Sequence, residues 1–151
     1  MQTRSSLVVI LLRIASILMF LHFAGHSLGM LRGPSHGAEE IAVLDTMRNH
    51  HFDTMGSSRS YMDFFLGFGW DASINMFVQG VLLWLLATTA KTRPAEARPF
   101  IALFTIAWVA SVFLYLKFFF VAPVVFAILM AIVLGSAWVA CSKSIRRLPG
   151  D

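Results

Sequence analysis

Four stretches of this chain, roughly 7–28, 64–88, 99–119 and 122–141, are apolar over the length of about 20 residues that an α-helix needs to cross a hydrocarbon core. That feature decides the fold class. Residues 1–151 are expected to form one all-α domain, an integral membrane four-helix bundle whose first partner is the lipid bilayer. Composition agrees: 58% of the residues are hydrophobic and 13% charged, where soluble domains carry about 25% charge. Disorder, a nucleic-acid scaffold and an ordinary soluble globule are excluded, and no nucleic-acid partner is expected. The first stretch follows Arg4 as a signal peptide would, but it exceeds the about 7–15 residues of a secretory apolar region, and no A-x-A cleavage pattern closes it. It reads as a retained helix.

The net charge of +4 is read as topology rather than as the mark of an acidic partner. Arg4, Lys91, Arg93, Arg98, Lys143, Arg146 and Arg147 fall on one side when both termini share it. The opposite side has Arg32, Arg48 and Arg59, diluted by Glu39, Glu40, Asp45 and Asp53, with Lys117 at the end of the third span. The positive-inside rule therefore predicts a multi-pass protein of the bacterial inner membrane with both termini cytoplasmic. Arg13, about two turns inside the first span, can snorkel to the same interface. The lone Cys141 excludes a disulfide within the chain.

The connections are unequal. Spans three and four meet almost directly near 120–123, and the link holding Pro94 and Pro99 reads as a plain turn. The outer segment 29–60 exceeds the length of about 12–15 residues beyond which a structureless loop is usually functional or disordered. Within it Ile41, Leu44, Met47 and His51 recur at helical spacing after Gly37, which predicts a short amphipathic helix lying on the outer face or capping the bundle.

Polar and ionisable groups inside a span are costly and mark candidate sites. His22 and His26 stack on one face of the first span. Arg59, Asp63, Gly67, Asp71, Asn75 and Gln79 follow at steps of four residues, a row that drifts by about 40° per step and winds around the second span as a polar ridge. At its outer end Arg59 and Asp63 are spaced for an ion pair on one helix face. Asp71, about two turns deeper, needs a partner, a proton or a wet cavity. Tyr61 at the entry to span two, with Tyr115 and Lys117 at the outer end of span three, shares this depth, beneath a loop bearing His36, His50 and His51. One polar cavity in the outer half accounts for the set. Each candidate also has a plain structural reading: hydrogen bonds between helices for the histidines, belt and core positions for Trp84, Trp108 and Trp138, and gap filling for the methionines.

The runs Gly25-His26-Ser27-Leu28-Gly29-Met30 and Arg59-Ser60-Tyr61-Met62-Asp63-Phe64-Phe65-Leu66-Gly67-Phe68-Gly69 resemble those of a bacterial family of small four-helix membrane proteins with no established activity, DoxX-like in general layout. The resemblance covers the whole chain in helix arrangement, but only these two runs are specific. It implies a fold and little chemistry. Size and span count are also similar to those of the MAPEG glutathione-handling enzymes, whose basic and acidic second-helix signature has only Arg48-Asn49-His50 as a counterpart here.

The leading expectation is the binding of a lipophilic small molecule, quinone- or lipid-like, in the outer cavity. Aromatic rings would flank it, with His22, His26, Arg59, Tyr61, Asp63, Asp71, Asn75 and Tyr115 as the ligand-binding candidates. The alternative is a membrane enzyme, an isomerase or reductase, in which His26 with Asp63 or Asp71 forms the catalytic acid/base pair. His22 and His26 can share a metal only with a third ligand from the loop, and no HExxH motif accompanies them, so no metal and no defined cofactor is assigned. The remaining reading is a structural or assembly subunit within a homo-oligomer or a larger membrane complex.

Overall fold

The computed structural model describes residues 2–33 and 36–145, with side chains from Leu7 onward. The side chain of Arg4 and all of Arg146 and Arg147, which carry part of the charge asymmetry, lie outside the described residues. Seven elements follow in the order α1 (Gln2–Leu31), α2 (Ala38–Asn49), β1 (His51–Thr54), β2 (Ser57–Ser60), α3 (Tyr61–Thr92), α4 (Pro94–Phe118) and α5 (Val121–Ile145). Four helical segments, Leu7–Leu31, Tyr61–Thr92, Pro94–Phe118 and Val121–Ile145, are long and apolar enough to cross a membrane. The fold is all-α and bundle-like, and the chain is a multi-pass membrane protein.

The link between α3 and α4 is the single residue Arg93. Pro94 takes a first-turn position, where its missing N–H removes no helical bond, and Pro99 lies inside α4 rather than in a turn. Between α4 and α5 only Phe119 and Phe120 remain.

The chain forms two compact units, Met1–Phe20 with Gln79–Asp151, and Leu21–Val78. In the first unit the buried residues recur at alternating steps of three and four: Val8, Leu12, Ala15 and Met19 on α1, and Ala127, Met130, Leu134, Ala137 and Cys141 on α5. Leu83, Ala87 and Ala90 on α3, with Ala97, Ile101 and Trp108 on α4, continue the pattern. Such spacing keeps one seam of each helix turned toward its neighbours. Alanine is frequent in the seam because no hydrophobic force draws helices together in lipid, and small side chains let them meet closely. Reverse faces remain apolar, with Ile10, Ile14, Ile17, Leu103, Ile106 and Phe113 all exposed where a soluble bundle would be charged.

Polar ties cross the same unit. The Ser16 hydroxyl donates to the Gly80 carbonyl at 2.7 Å, and the Phe20 ring lies where a Cβ on Gly80 would sit, 2.9 Å from its nearest carbon. Arg13 donates to Thr88 Oγ1 at 3.1 Å, and its guanidinium lies 3.5 Å from the centre of the Trp84 ring. Arg98 Nε donates to Ser142 Oγ at 2.8 Å.

The second unit combines the end of α1, α2, the hairpin and the start of α3. The amphipathic spacing predicts helix through His51, but α2 ends at Asn49, where His50 turns extended at φ −84° and ψ 103°. His51 then pairs with Ser60, and Thr54 with Ser57, in an antiparallel hairpin. Met55 (φ 51°) and Gly56 (φ 80°) form its tip. Two central residues at positive φ give the turn whose twist matches that of paired strands.

Candidate functional site

The hairpin is fastened to the first turns of α3 by a run of aromatic rings. Tyr61 stacks on His50, with centroids 5.8 Å apart and planes 11° from parallel. Its other neighbour is Phe52, at 5.0 Å. Phe52 in turn stacks on Phe64 at 5.9 Å, and Phe64 meets Phe68 at 6.1 Å. Alternation along β1 puts Phe52 on the helix side, which is why one strand residue reaches two successive turns of α3. The sequence-predicted ligand residue Tyr61 thus has its ring engaged in holding the hairpin.

The start of α3 is closed by a reciprocal cap. Asp63 Oδ2 accepts a hydrogen bond from the Ser60 backbone N–H at 2.8 Å, while Ser60 Oγ accepts one from the Asp63 N–H at 3.1 Å. This is the capping-box arrangement with aspartate at the third helical position. Arg59 therefore belongs to β2 and not to the helix. Its guanidinium donates to the Ser58 carbonyl at 2.9 Å, and among the described residues it makes no ion pair with Asp63.

Arg59, Asp63, Phe64, Gly67, Phe68 and Asp71 nevertheless line one open groove of about 370 Å3. Gly67 makes its floor: a Cβ there would meet nothing within 4 Å. Asp71 Oδ2 accepts from Asn75 Nδ2 at 3.1 Å, and the same amide donates to the Asp71 backbone carbonyl at 2.9 Å. The groove presents two phenyl rings, a guanidinium at one end and carboxylates along its length. It can seat a flat or chain-like apolar body whose head both accepts and donates hydrogen bonds.

His26 lies apart from those carboxylates in its hydrogen bonding. Its Nδ1 is 2.9 Å from the hydroxyl of Ser73, a side chain only 2% exposed. Ser27 Oγ donates to the same Ser73 oxygen at 3.1 Å. One buried hydroxyl thus joins two side chains of α1 to α3. The acid/base pair expected between His26 and Asp63 or Asp71 is not among the described hydrogen bonds; the partner of His26 is a serine. His22 lies one turn earlier on α1, half-buried. Among the described residues no group of three histidine, cysteine or carboxylate side chains is arranged to hold a metal. The loop histidines have local contacts: His36 with Glu40 at 3.3 Å and His51 with the Asn49 carbonyl at 3.2 Å.

Seven of the eight sequence-predicted ligand residues belong to the unit Leu21–Val78, and Tyr115 belongs to the other. There its ring packs on Phe119 at 5.0 Å. Ser73, Ser60, Phe52, Phe64 and Phe68 are the site residues that spacing alone left out. For Ser60 the signal was present, a serine three residues before an acidic residue at a helix start. For Ser73 there was none, since its importance comes from a helix distant in sequence. No family model, curated protein or solved structure matches the chain.

Proposed function

We propose that this protein binds a lipophilic small molecule, quinone- or lipid-like, in the groove of α3 next to the hairpin. The observation that carries the reading is the meeting of Phe64 and Phe68 with Arg59 and Asp71 around the bare floor at Gly67. A carboxylate on a span, as Asp71 is, is costly unless it has a use, and it lines one apolar trough with Arg59 of the hairpin. Arg59 donates to a carbonyl or phosphate oxygen of the head group, Asp71 accepts from a hydroxyl, and the rings flank the apolar body. By the charge asymmetry we place the chain in a bacterial inner membrane with both termini cytoplasmic, so the groove opens in the outer half of the bilayer.

Native mass spectrometry of the protein purified gently from its own membranes tests the proposal. The expected result is a stoichiometric added mass that disappears in Gly67→Leu, a variant that fills the floor without touching a hydrogen bond. A bare chain, or a set of added masses identical in wild type and Gly67→Leu, overturns it; a bare oligomer points instead to a structural or assembly subunit.

A further inference from the structure

The first unit has a groove of its own. Leu7 of α1 faces α5 across a trough of about 610 Å3 whose α5 wall includes Ala131, Gly135, Ser136, Ala140 and Lys143. From Ala131 to Lys143 the helix rises about 18 Å, at about 1.5 Å per residue. Small side chains leave much of this length of the surface hollow, and Ile132 and Val139 complete its apolar lining. The hollow ends on an ammonium group in the last turn of α5.

We propose that this groove holds an anionic phospholipid, with one acyl chain in the trough and the phosphate against Lys143. Charge complementarity selects the occupant. Within this unit Lys91, Arg93, Arg98 and Lys143 gather where α3 ends, α4 begins and α5 ends, and Arg98 bridges the last two through Ser142. Glu96 is the one acidic residue in that region among the described residues, and it is paired to Arg93 at 3.1 Å. Lys143 has no carboxylate partner among the described residues, so its charge is free to answer a phosphate at the level of the membrane surface. A second copy of the chain fits less well. A two-fold axis along the helices would bring two Lys143 ammonium groups to the same depth across the contact, where like charges repel. Ser136, whose exposed side chain lines the trough, bonds to no other helix in the described hydrogen bonds, which leaves its hydroxyl for a lipid ester.

Full-length protein in a mild detergent, titrated separately with phosphatidylglycerol and phosphatidylcholine and read by native mass spectrometry, tests this site. Wild type is expected to hold one phosphatidylglycerol at least fivefold more tightly than phosphatidylcholine. Lys143→Gln is expected to bring the two affinities together, and Ser136→Phe to weaken both at least fivefold. Helical content by circular dichroism should stay at the wild-type value in each, since both positions face the groove. Equal affinities in wild type, a preference retained in Lys143→Gln, or a dimer that Ser136→Phe dissociates each overturn the proposal. Because Gly67→Leu leaves this groove untouched, its result and that of Ser136→Phe separate the two binding sites.

Discussion

Ser60 and Asp63 satisfy one another at the start of α3, the carboxylate taking the serine N–H at 2.8 Å and the hydroxyl taking the aspartate N–H at 3.1 Å. The exchange fixes where the hairpin stops and the helix begins, and it assigns Asp63 a structural duty at the rim of the proposed ligand groove. Replacement of Ser60 by alanine should lower stability in detergent by about 1 kcal/mol. Asp63→Asn should cost less in that background than in wild type, since its backbone partner is then held less firmly. Denaturant unfolding of the four proteins of this cycle gives the coupling; strict additivity would mean that the two bonds do not act together.

Around His26 the expected energetics are those of a buried polar contact. Ser73→Ala leaves Nδ1 of His26 and the Ser27 hydroxyl without their shared partner, and should destabilise the protein by about 1–2 kcal/mol. His26→Ala and the double variant should fall at about the same level as Ser73→Ala. Were His26→Ala instead to leave stability unchanged while abolishing the ligand adduct, the imidazole would belong to the ligand and not to the helix contact.

Gly80 tests the close approach in the other unit. The edge of the Phe20 ring comes within 2.9 Å of where an added Cβ would sit, and the Ser16 hydroxyl bonds the carbonyl of the same glycine. Gly80→Ala should cost about 1–3 kcal/mol, as overpacking in a tight contact does. Phe20→Leu in the same chain should recover part of the loss, and a thermal melt that shows no recovery would place the strain elsewhere.

Arg13 and Trp84 should be energetically coupled by about 1–2 kcal/mol, the range of a cation–π contact removed from water. Nη1 of Arg13 is buried without a hydrogen-bond partner among the described residues. Trp84→Leu should therefore be costly with arginine present and nearly neutral in an Arg13→Met background. Equal costs in the two backgrounds would show that the ring is only packing.

Topology is open to direct labelling. In a Cys141→Ala chain, Met55→Cys at the fully exposed hairpin tip should react with a membrane-impermeant maleimide added outside intact cells. Lys91→Cys should react only after lysis. The opposite pattern would invert the proposed orientation.

How much of this was legible depended on whether the signal was local and periodic. The seam residues Val8, Leu12, Ala15 and Met19 repeat at helical spacing, and four long apolar runs leave a membrane bundle as the natural reading. The hairpin gave no such signal. Its strands, His-Phe-Asp-Thr and Ser-Ser-Arg-Ser, are polar and short, and their pairing is stabilised by one aromatic residue that looks outward to α3. Spacing placed Arg59 and Asp63 on one helix face by assuming that the helix reaches back to 59; the capping serine between them ends it at Tyr61. Asp71 and Asn75, four apart on an uninterrupted stretch of α3, meet as their spacing says they should. The Ser73 partnership of His26 joins residues 47 apart and has no counterpart in any sequence period.

The two-residue link of Phe119 and Phe120 bears on biogenesis. In the proposed orientation almost nothing hydrophilic accompanies α4 and α5 across the bilayer: Lys117, whose ammonium lies 5.1 Å from the Phe118 ring, is the sole charge at that end. The pair can therefore enter the lipid as a single hairpin once Ile145 has been synthesised, with the exposed rings of Phe118, Phe119 and Phe120 coming to rest at the far interface. Between α1 and α3, by contrast, α2 and the hairpin, bearing Glu39, Glu40, Asp45, Arg48, Asp53 and Arg59, must be translocated through a polar conduit. In that orientation the amino-terminal half has a charged segment to carry across the bilayer and the carboxy-terminal half has almost none.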